Sequence, residues 1–358
     1  MKPRIAFALQ GGGAHGALSW GILDRLLEEP SVDFVGASGT SAGAMNAIIL
    51  ADGMVRGGRE QARRELRRFW ERVGAMPGFG SLLGPISGEV SARLPLEYTP
   101  AYAFWDSLSR NLSPYDLNPW NYNPLRAPLE EMIDFERLRR QSDFQVMVCA
   151  TNVRTARRRV FTNGDMSVDA VLASACLPQL FPAVEIDDEA YWDGGYTGNP
   201  ALAPLIQRMP GCDFVIVRVD PVKRADAPRS VRDILDRVRE IGFNSSFWLE
   251  LTAIALILKL VDDGLLPRDR FGQDRFHAIG ASAEMEALAS SSKLNNHKAF
   301  LEYLFTLGRN TADNWLKTNL GSLGERSTVD LQQLLVDTPL AAFERRSAPE
   351  RSGRDGPA

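Results

Sequence analysis

Two strand–glycine turn–helix units follow one another within the first fifty residues, and this doubling constrains the fold more than any other feature. Ile5 to Leu9 reads as a short buried strand. A glycine loop, Gly11 to Gly13, leads into a helical pattern from Ala17 to Leu27 that sets Leu18, Ile22, Leu23, Leu26 and Leu27 on one face. Phe34 to Ala37 repeats the apolar strand, Gly39-Thr40-Ser41-Ala42-Gly43 repeats the turn, and Ala42 to Leu50 suits a buried helix. Further strands are expected at Val146 to Ala150, Arg159 to Thr162, Ala190 to Trp192 and Phe214 to Val219, with a helix from Val168 to Ala175. The pattern predicts an α/β fold with a mostly parallel sheet and helices on both faces.

The remaining chain is less regular. Gly74 to Pro128, rich in Gly, Pro and aromatics, reads as an irregular insertion that either packs on the surface or walls the site. After Val219 the chain looks helical, at Val231 to Ile241, Phe247 to Val261 and His297 to Thr318. Phe247 to Val261 is very apolar but short of a bilayer span, and suits a core helix better than a membrane-contacting surface. The expected organisation is a catalytic core over 1–220 with its insertion at 74–128, a helical part over 221–344 packed on that core, and a disordered tail over 345–358. Gly11 to Gly13 interrupt the early apolar run before a secretory segment could form, so a cytoplasmic protein is expected, with transient membrane-surface contact left open. Cys149, Cys176 and Cys212 lie far apart without a CxxC pair or nearby His ligands, so neither a zinc site nor a disulfide framework is suggested, and no cofactor is expected. A net charge of −4 and only short basic clusters argue against nucleic acid as partner. Oligomeric state is not legible.

Chemistry concentrates in three glycine-bearing motifs. Gly39-Thr40-Ser41-Ala42-Gly43 matches the GxSxG elbow, in which a strand turns so sharply into a helix that glycines must flank the exposed serine. Gln10-Gly11-Gly12-Gly13-Ala14-His15-Gly16 has two readings. Gly11, Gly13 and Gly16 satisfy the dinucleotide fingerprint, but the acidic residue expected after the second strand is missing. Alternatively, the amides of Gly11, Gly12, Gly13 and Ala14 form an oxyanion hole beside Ser41. The serine needs a base. Asp193-Gly194-Gly195 offers one after the strand Ala190 to Trp192, while His277 or His297 would complete an α/β-hydrolase-like triad with Ser41 and Asp193.

Together these residues resemble the patatin-like phospholipase family. GGGAHG, GTSAG and DGG occur in the family's order at 11 to 16, 39 to 43 and 193 to 195, and Ala173 to Pro178 with Leu180-Phe181-Pro182 resembles the run into its aspartate. The resemblance spans about residues 5 to 220. It implies a three-layer α/β/α fold, a Ser41–Asp193 dyad without histidine, an oxyanion hole in the glycine loop, and hydrolysis of fatty acyl esters without a metal. Gly16, Gly39, Gly43, Gly194 and Gly195 would support the motifs. Two positions depart from the pattern: Gln10 stands where relatives often have Asp or Ser, and His15 where Arg or Lys is usual. His15 would make the local charge depend on pH. A nucleotide-binding domain and a catalytically inactive lipid-binding module stand as the competing readings.

Overall fold

The computed structural model describes residues 2–331 apart from 79, 84, 85, 95, 97, 98, 110, 141, 142, 221–226, 281 and 282. The tail expected from Arg345 lies outside the described residues.

The first unit folds as β1 (Arg4–Leu9) and α1 (Gly16–Leu26), the second as β2 (Asp33–Gly39) and α2 (Ala42–Ala75). α2 bends at Gly57 and Gly58, whose backbones leave the helical region. Among the described residues the insertion forms short helical pieces, including α3 (Pro100–Ser109), which buries none of its residues. Next come β3 (Gln145–Asn152), β4 (Arg158–Thr162) and α4 (Val168–Ser174). β5 (Val184–Ile186) and β6 (Glu189–Asp193) form a hairpin whose two turn residues, Asp187 and Asp188, both take positive φ. That pairing of left-handed residues is what a two-residue hairpin turn requires. α5 (Ala203–Arg208), β7 (Asp213–Arg218), α6 (Val231–Asp262), β8 (Arg275–Gly280) and α7 (Lys298–Asn319) follow.

The eight strands among the described residues form one sheet: β4, β3, β2, β1, β7 and β8 are successive neighbours, and the β5–β6 hairpin joins β3 through β6. β2, β1, β7 and β8 run parallel to their neighbours and to β3, and β4, β5 and β6 are antiparallel additions. Side-chain alternation divides the core. Ile5, Phe7, Leu9, Val215 and Val217 face the helices α1, α2, α4 and α7, whereas Ala6, Ala8, Phe214 and Ile216 face α5 and α6. The result is the expected α/β/α layering.

Two expectations for the C-terminal third need correction. The region read as helical also supplies β8, whose sequence pattern is masked by a buried His277 that bonds Asp213 and Thr328. The two candidate helices after Val231 are one helix, α6, and it is a core helix on one face only: Phe247, Leu251 and Ala255 are buried, while Leu249, Leu256 and Ile257 are exposed.

α1 and α7 approach each other backbone to backbone. A methyl at Gly308 would meet the Leu18 carbonyl oxygen at 2.2 Å, and one at Gly21 the Phe305 carbonyl oxygen at 2.0 Å. Gly21→Ala should therefore cost about 2 kcal/mol of stability or more by forcing the helices apart. Gly242→Ala, inside α6 with nothing within 4 Å, should instead add about 0.5–1 kcal/mol. Urea unfolding of the two variants measures both, and similar values would contradict the packing described.

Candidate active site

The middle strand of the site is β3. Its residues Met147 and Val148 pair with β4 on one edge and with Ser38 and Gly39 of β2 on the other. Farther along, Ala150 and Thr151 pair with β4 again and with Asp193 and Trp192 of β6. β2 and β6 therefore share one edge of β3, lie end to end and run toward each other. Cys149 sits at the gap between them, and Gly194 fits over it because a methyl there would meet the Cys149 carbonyl oxygen at 2.0 Å. Ser41 leaves the end of β2 and Asp193 ends β6, so the sheet delivers both to one place.

Ser41 is held in a strained turn, with φ 55° and ψ −124°. The turn closes only because Gly39 and Gly43 lack side chains: a methyl on Gly39 would meet the Gly43 carbonyl oxygen at 2.2 Å, and one on Gly43 the Leu9 carbonyl oxygen at 2.1 Å. Side chains brace it from outside. Ser174 Oγ accepts from the Ser41 amide at 3.0 Å, and Thr40 Oγ1 donates to the Gly198 carbonyl at 2.6 Å. Asp193 is fully buried. Its amide donates to the Cys176 carbonyl at 2.8 Å, its carbonyl accepts from Thr151 Oγ1 at 2.8 Å, and its Oδ1 accepts from the Gly195 amide at 2.8 Å. Oδ2 accepts no well-formed hydrogen bond among the described residues. Burial pushes the Asp193 carboxyl up to about 7, while the Gly195 amide and the nearby Ser41 hydroxyl act in the opposite sense.

The four amides expected as oxyanion donors differ in their surroundings, although Gly11, Gly12 and Gly13 all line the cavity. The Gly11 amide is already committed to Asn199 Oδ1 at 2.7 Å, and Ala14 is buried and not among the residues lining the cavity. Gly12 and Gly13 line the cavity, and no described residue accepts from their amides. Gly13 has φ +59°, which favours glycine, and its α-carbon faces the Lys293 carbonyl, which a methyl would meet at 2.3 Å. Gly16 opens α1 against Ala42 and Trp70. His15 turns inward, Nε2 on Ser292 Oγ at 2.7 Å and its ring edge-on to Phe300, so it serves as a buried tie to the C-terminal third. Gln10 ties the end of β1 to the amides of Val219 and Asp220 through Oε1 and to Asn244 of α6 through Nε2.

Above Ser41 and Asp193 opens a cavity of about 220 Å³. Its apolar wall includes Leu177, Leu180, Phe243 and Leu294, with Tyr102 and Trp105 of the insertion; Asp220, Arg239 and Lys293 are among its polar lining residues. Neither His277 nor His297 lines it. His277 lies inside the sheet on Asp213 at 2.9 Å, and His297 Nδ1 accepts from the Ala299 amide at the start of α7. Sequence reasoning missed Ser174, although the run containing it had been singled out, and it missed Asn199 and Lys293, which no motif marks.

A hydroxyl on a strained elbow, an under-bonded buried carboxylate and free backbone donors beside an apolar cavity constitute a site suited to acyl transfer. The sequence model of the patatin-like phospholipases matches residues 7–206, more than half of the chain, and the chain belongs to this family of lipid hydrolases. That match displaces the dinucleotide-binding reading of the glycine loop. No curated protein sequence matches the chain significantly. Among solved structures it is similar to VipD from Legionella pneumophila, at 15% identity and TM-score 0.33, covering 86% of this chain and 67% of that one. It is also similar to the type III effector protein ExoU, at 15% identity and TM-score 0.26, covering 96% of this chain and 62% of that one. For ExoU with SpcU from Pseudomonas aeruginosa the values are 16% and 0.27, with 96% and 76% covered. The chain thus spans less than two thirds of the first of these ExoU chains, and the family match alone carries the assignment.

The raised Asp193 carboxyl has a thermodynamic sign. The native state keeps this proton up to about pH 7, whereas an unfolded aspartate loses it near 3.8. Between those values the folded state binds more protons, so stability falls as pH rises through the window, by on the order of 4 kcal/mol in total. Asp193→Asn should accordingly raise the melting temperature at pH 8 and change it much less at pH 4. A thermal scan at both pH values checks this; a variant less stable than the parent at pH 8 would contradict it.

Proposed function

We propose that the chain is a serine acyl hydrolase that cleaves carboxylic esters of lipids through Ser41 and Asp193. The observation that carries this reading is the meeting of β2 and β6 on one edge of β3, which sets a strained, cavity-facing serine beside a buried carboxylate with an unsatisfied oxygen. Asp193 Oδ2 takes the Ser41 proton as Oγ attacks the ester carbonyl. The tetrahedral oxyanion receives the amides of Gly12 and Gly13, with Gly11 locked by Asn199 as the hinge of the loop. Collapse expels the alcohol or lysolipid, which leaves with the proton held by Asp193. Water then attacks the acyl-serine as Asp193 accepts its proton; the acyl–Oγ bond breaks, Asp193 returns the proton to Ser41 Oγ, and the free fatty acid departs. The cavity's apolar wall suits an acyl chain, and the family's lipid substrates support that choice.

A fluorophosphonate probe followed by peptide mapping should give a single adduct, on Ser41. Asp193→Asn should nearly abolish hydrolysis of a short-chain p-nitrophenyl ester, whereas His277→Ala and His297→Ala should stay within about tenfold of the parent if folded. Loss of activity on either histidine change, with the fold intact, would restore the triad.

Because the base must be ionised, kcat/KM should rise with pH and level off above a midpoint near 7, where the Asp193 carboxyl titrates. Gly12→Ala tests the oxyanion donors, since its methyl would meet Val219 at 2.7 Å and shift the loop. A fall in kcat on the order of 10²–10³ with KM nearly constant is expected. Unchanged kcat in a folded variant would remove the loop from the mechanism.

A further inference from the structure

Helix α6 carries two apolar faces. Phe247, Leu251 and Ala255 form the inner one, packed with Phe214 and Phe276 of the sheet. Its rotation is fixed by polar anchors: Asn244 bonds Gln10, and Glu250 bonds Arg158 and accepts from the amides of Leu202 and Ala203. The outer face is therefore held outward by the structure. Val231, Ile234, Leu235, Val238, Ile241, Leu249, Leu256 and Ile257 are all exposed, Val238 at 60% and Leu249 at 72%. At 100° per residue they fall on one stripe opposite Phe247 and Leu251. Scattered exposed aliphatics need no explanation, but eight on one side of a 32-residue helix about 48 Å long do; they form two groups, Val231 to Ile241 and Leu249 to Ile257, separated on that face by Gly242, Ser245 and Ser246.

The stripe begins at the mouth of the catalytic cavity, which α6 lines with Asp236, Arg239, Glu240 and Phe243. The insertion borders the same mouth. Tyr102 and Trp105 of α3 line the cavity, and Phe104 between them is 71% exposed. Trp120, farther along the insertion, is 89% exposed. Aromatic side chains of this kind favour the boundary between water and acyl chains. A protein seated on both elements would close the mouth, whereas a lipid surface seated there would deliver an acyl ester to it.

We propose that the outer stripe of α6, with the exposed aromatics of the insertion, docks the enzyme flat on a bilayer. α6 is long and apolar enough to cross a membrane by length and composition, but its anchored inner face keeps it on the protein, as in helices that lie in the interface. A net charge of −4 supplies no general pull toward anionic lipid, so docking works by apolar insertion and zwitterionic lipid suffices. This inference rests on reading the cavity as an acyl-hydrolase site, and the test separates the two.

Flotation of the full chain carrying Ser41→Ala with phosphatidylcholine vesicles reads docking without hydrolysis. The parent should float, and should still float in about 0.5 M NaCl, where exposed charges are screened. Adding Val238→Asp and Leu249→Asp, which do not line the cavity, should weaken vesicle partition at least tenfold. With Ser41 intact, the same pair should lower hydrolysis of vesicle phospholipid at least tenfold and leave a soluble short-chain ester within twofold. Circular dichroism confirms folding of these exposed-site variants, and a Val238→Ser, Leu249→Ser pair gives a milder version of the same loss. A parent that does not float, a double variant that floats like the parent, or a dimer broken by Leu249→Asp without vesicle binding would overturn the inference. An intact-Ser41 parent that floats but hydrolyses no short-chain ester would instead sink the catalytic reading.

Discussion

A strand edge offers one row of hydrogen-bonding groups, and two strands can use the same row only if one stops where the other begins. β3 is shared in this way: β2 occupies the first part of the edge and β6 the second. Neither can lengthen without displacing the other. The two chain reversals are thus forced to the same spot from opposite directions, which sets Ser41 against Asp193 without either residue having to reach. The close contacts around them follow from that crowding. Gly39, Gly43 and Gly194 each lie where a methyl would strike a backbone carbonyl at 2.2 Å or less.

Crowding also removes water, and a carboxylate without water is expensive unless its oxygens find donors. Asp193 is given one firm donor, the Gly195 amide, and its second oxygen is left under-satisfied. The sheet tolerates this because Thr151 and the Cys176 carbonyl fix the Asp193 backbone on both sides. Strain at Ser41 and desolvation at Asp193 are set against the same rigid framework, as expected where a site trades stability for reactivity. In the reading proposed for this site, that under-satisfied oxygen is the one that takes the serine proton.

The parts of the site legible in the sequence are those where backbone crowding demands glycine. GTSAG, the glycine loop and DGG announce themselves because only glycine fits, and strand periodicity placed β1, β2, β3, β4, β6 and β7 within a few residues. What escaped has a different physical origin. Asn199 and Ser174 work through single side-chain bonds to the amides of Gly11 and Ser41, which leave no periodic trace. β8 carries a buried histidine satisfied by an aspartate on β7 and a threonine at 328, so its polarity reads as loop until its partners are known. α6 misleads for the opposite reason: apolar residues on two faces look alike in sequence, and only the positions of Asn244 and Glu250 show which face is turned inward.

The family match ends at residue 206, yet β7, which lies beside β1 in the middle of the sheet, spans Asp213–Arg218, and β8 follows it. Beyond these, α7 lies against α1 with glycine at the crossing, and Lys293 abuts the loop at Gly13. The stretch by which such a chain is recognised is therefore shorter than the stretch that makes it whole. A boundary drawn at the edge of the recognisable sequence would part β7 and β8 from β1 and so run through the sheet itself.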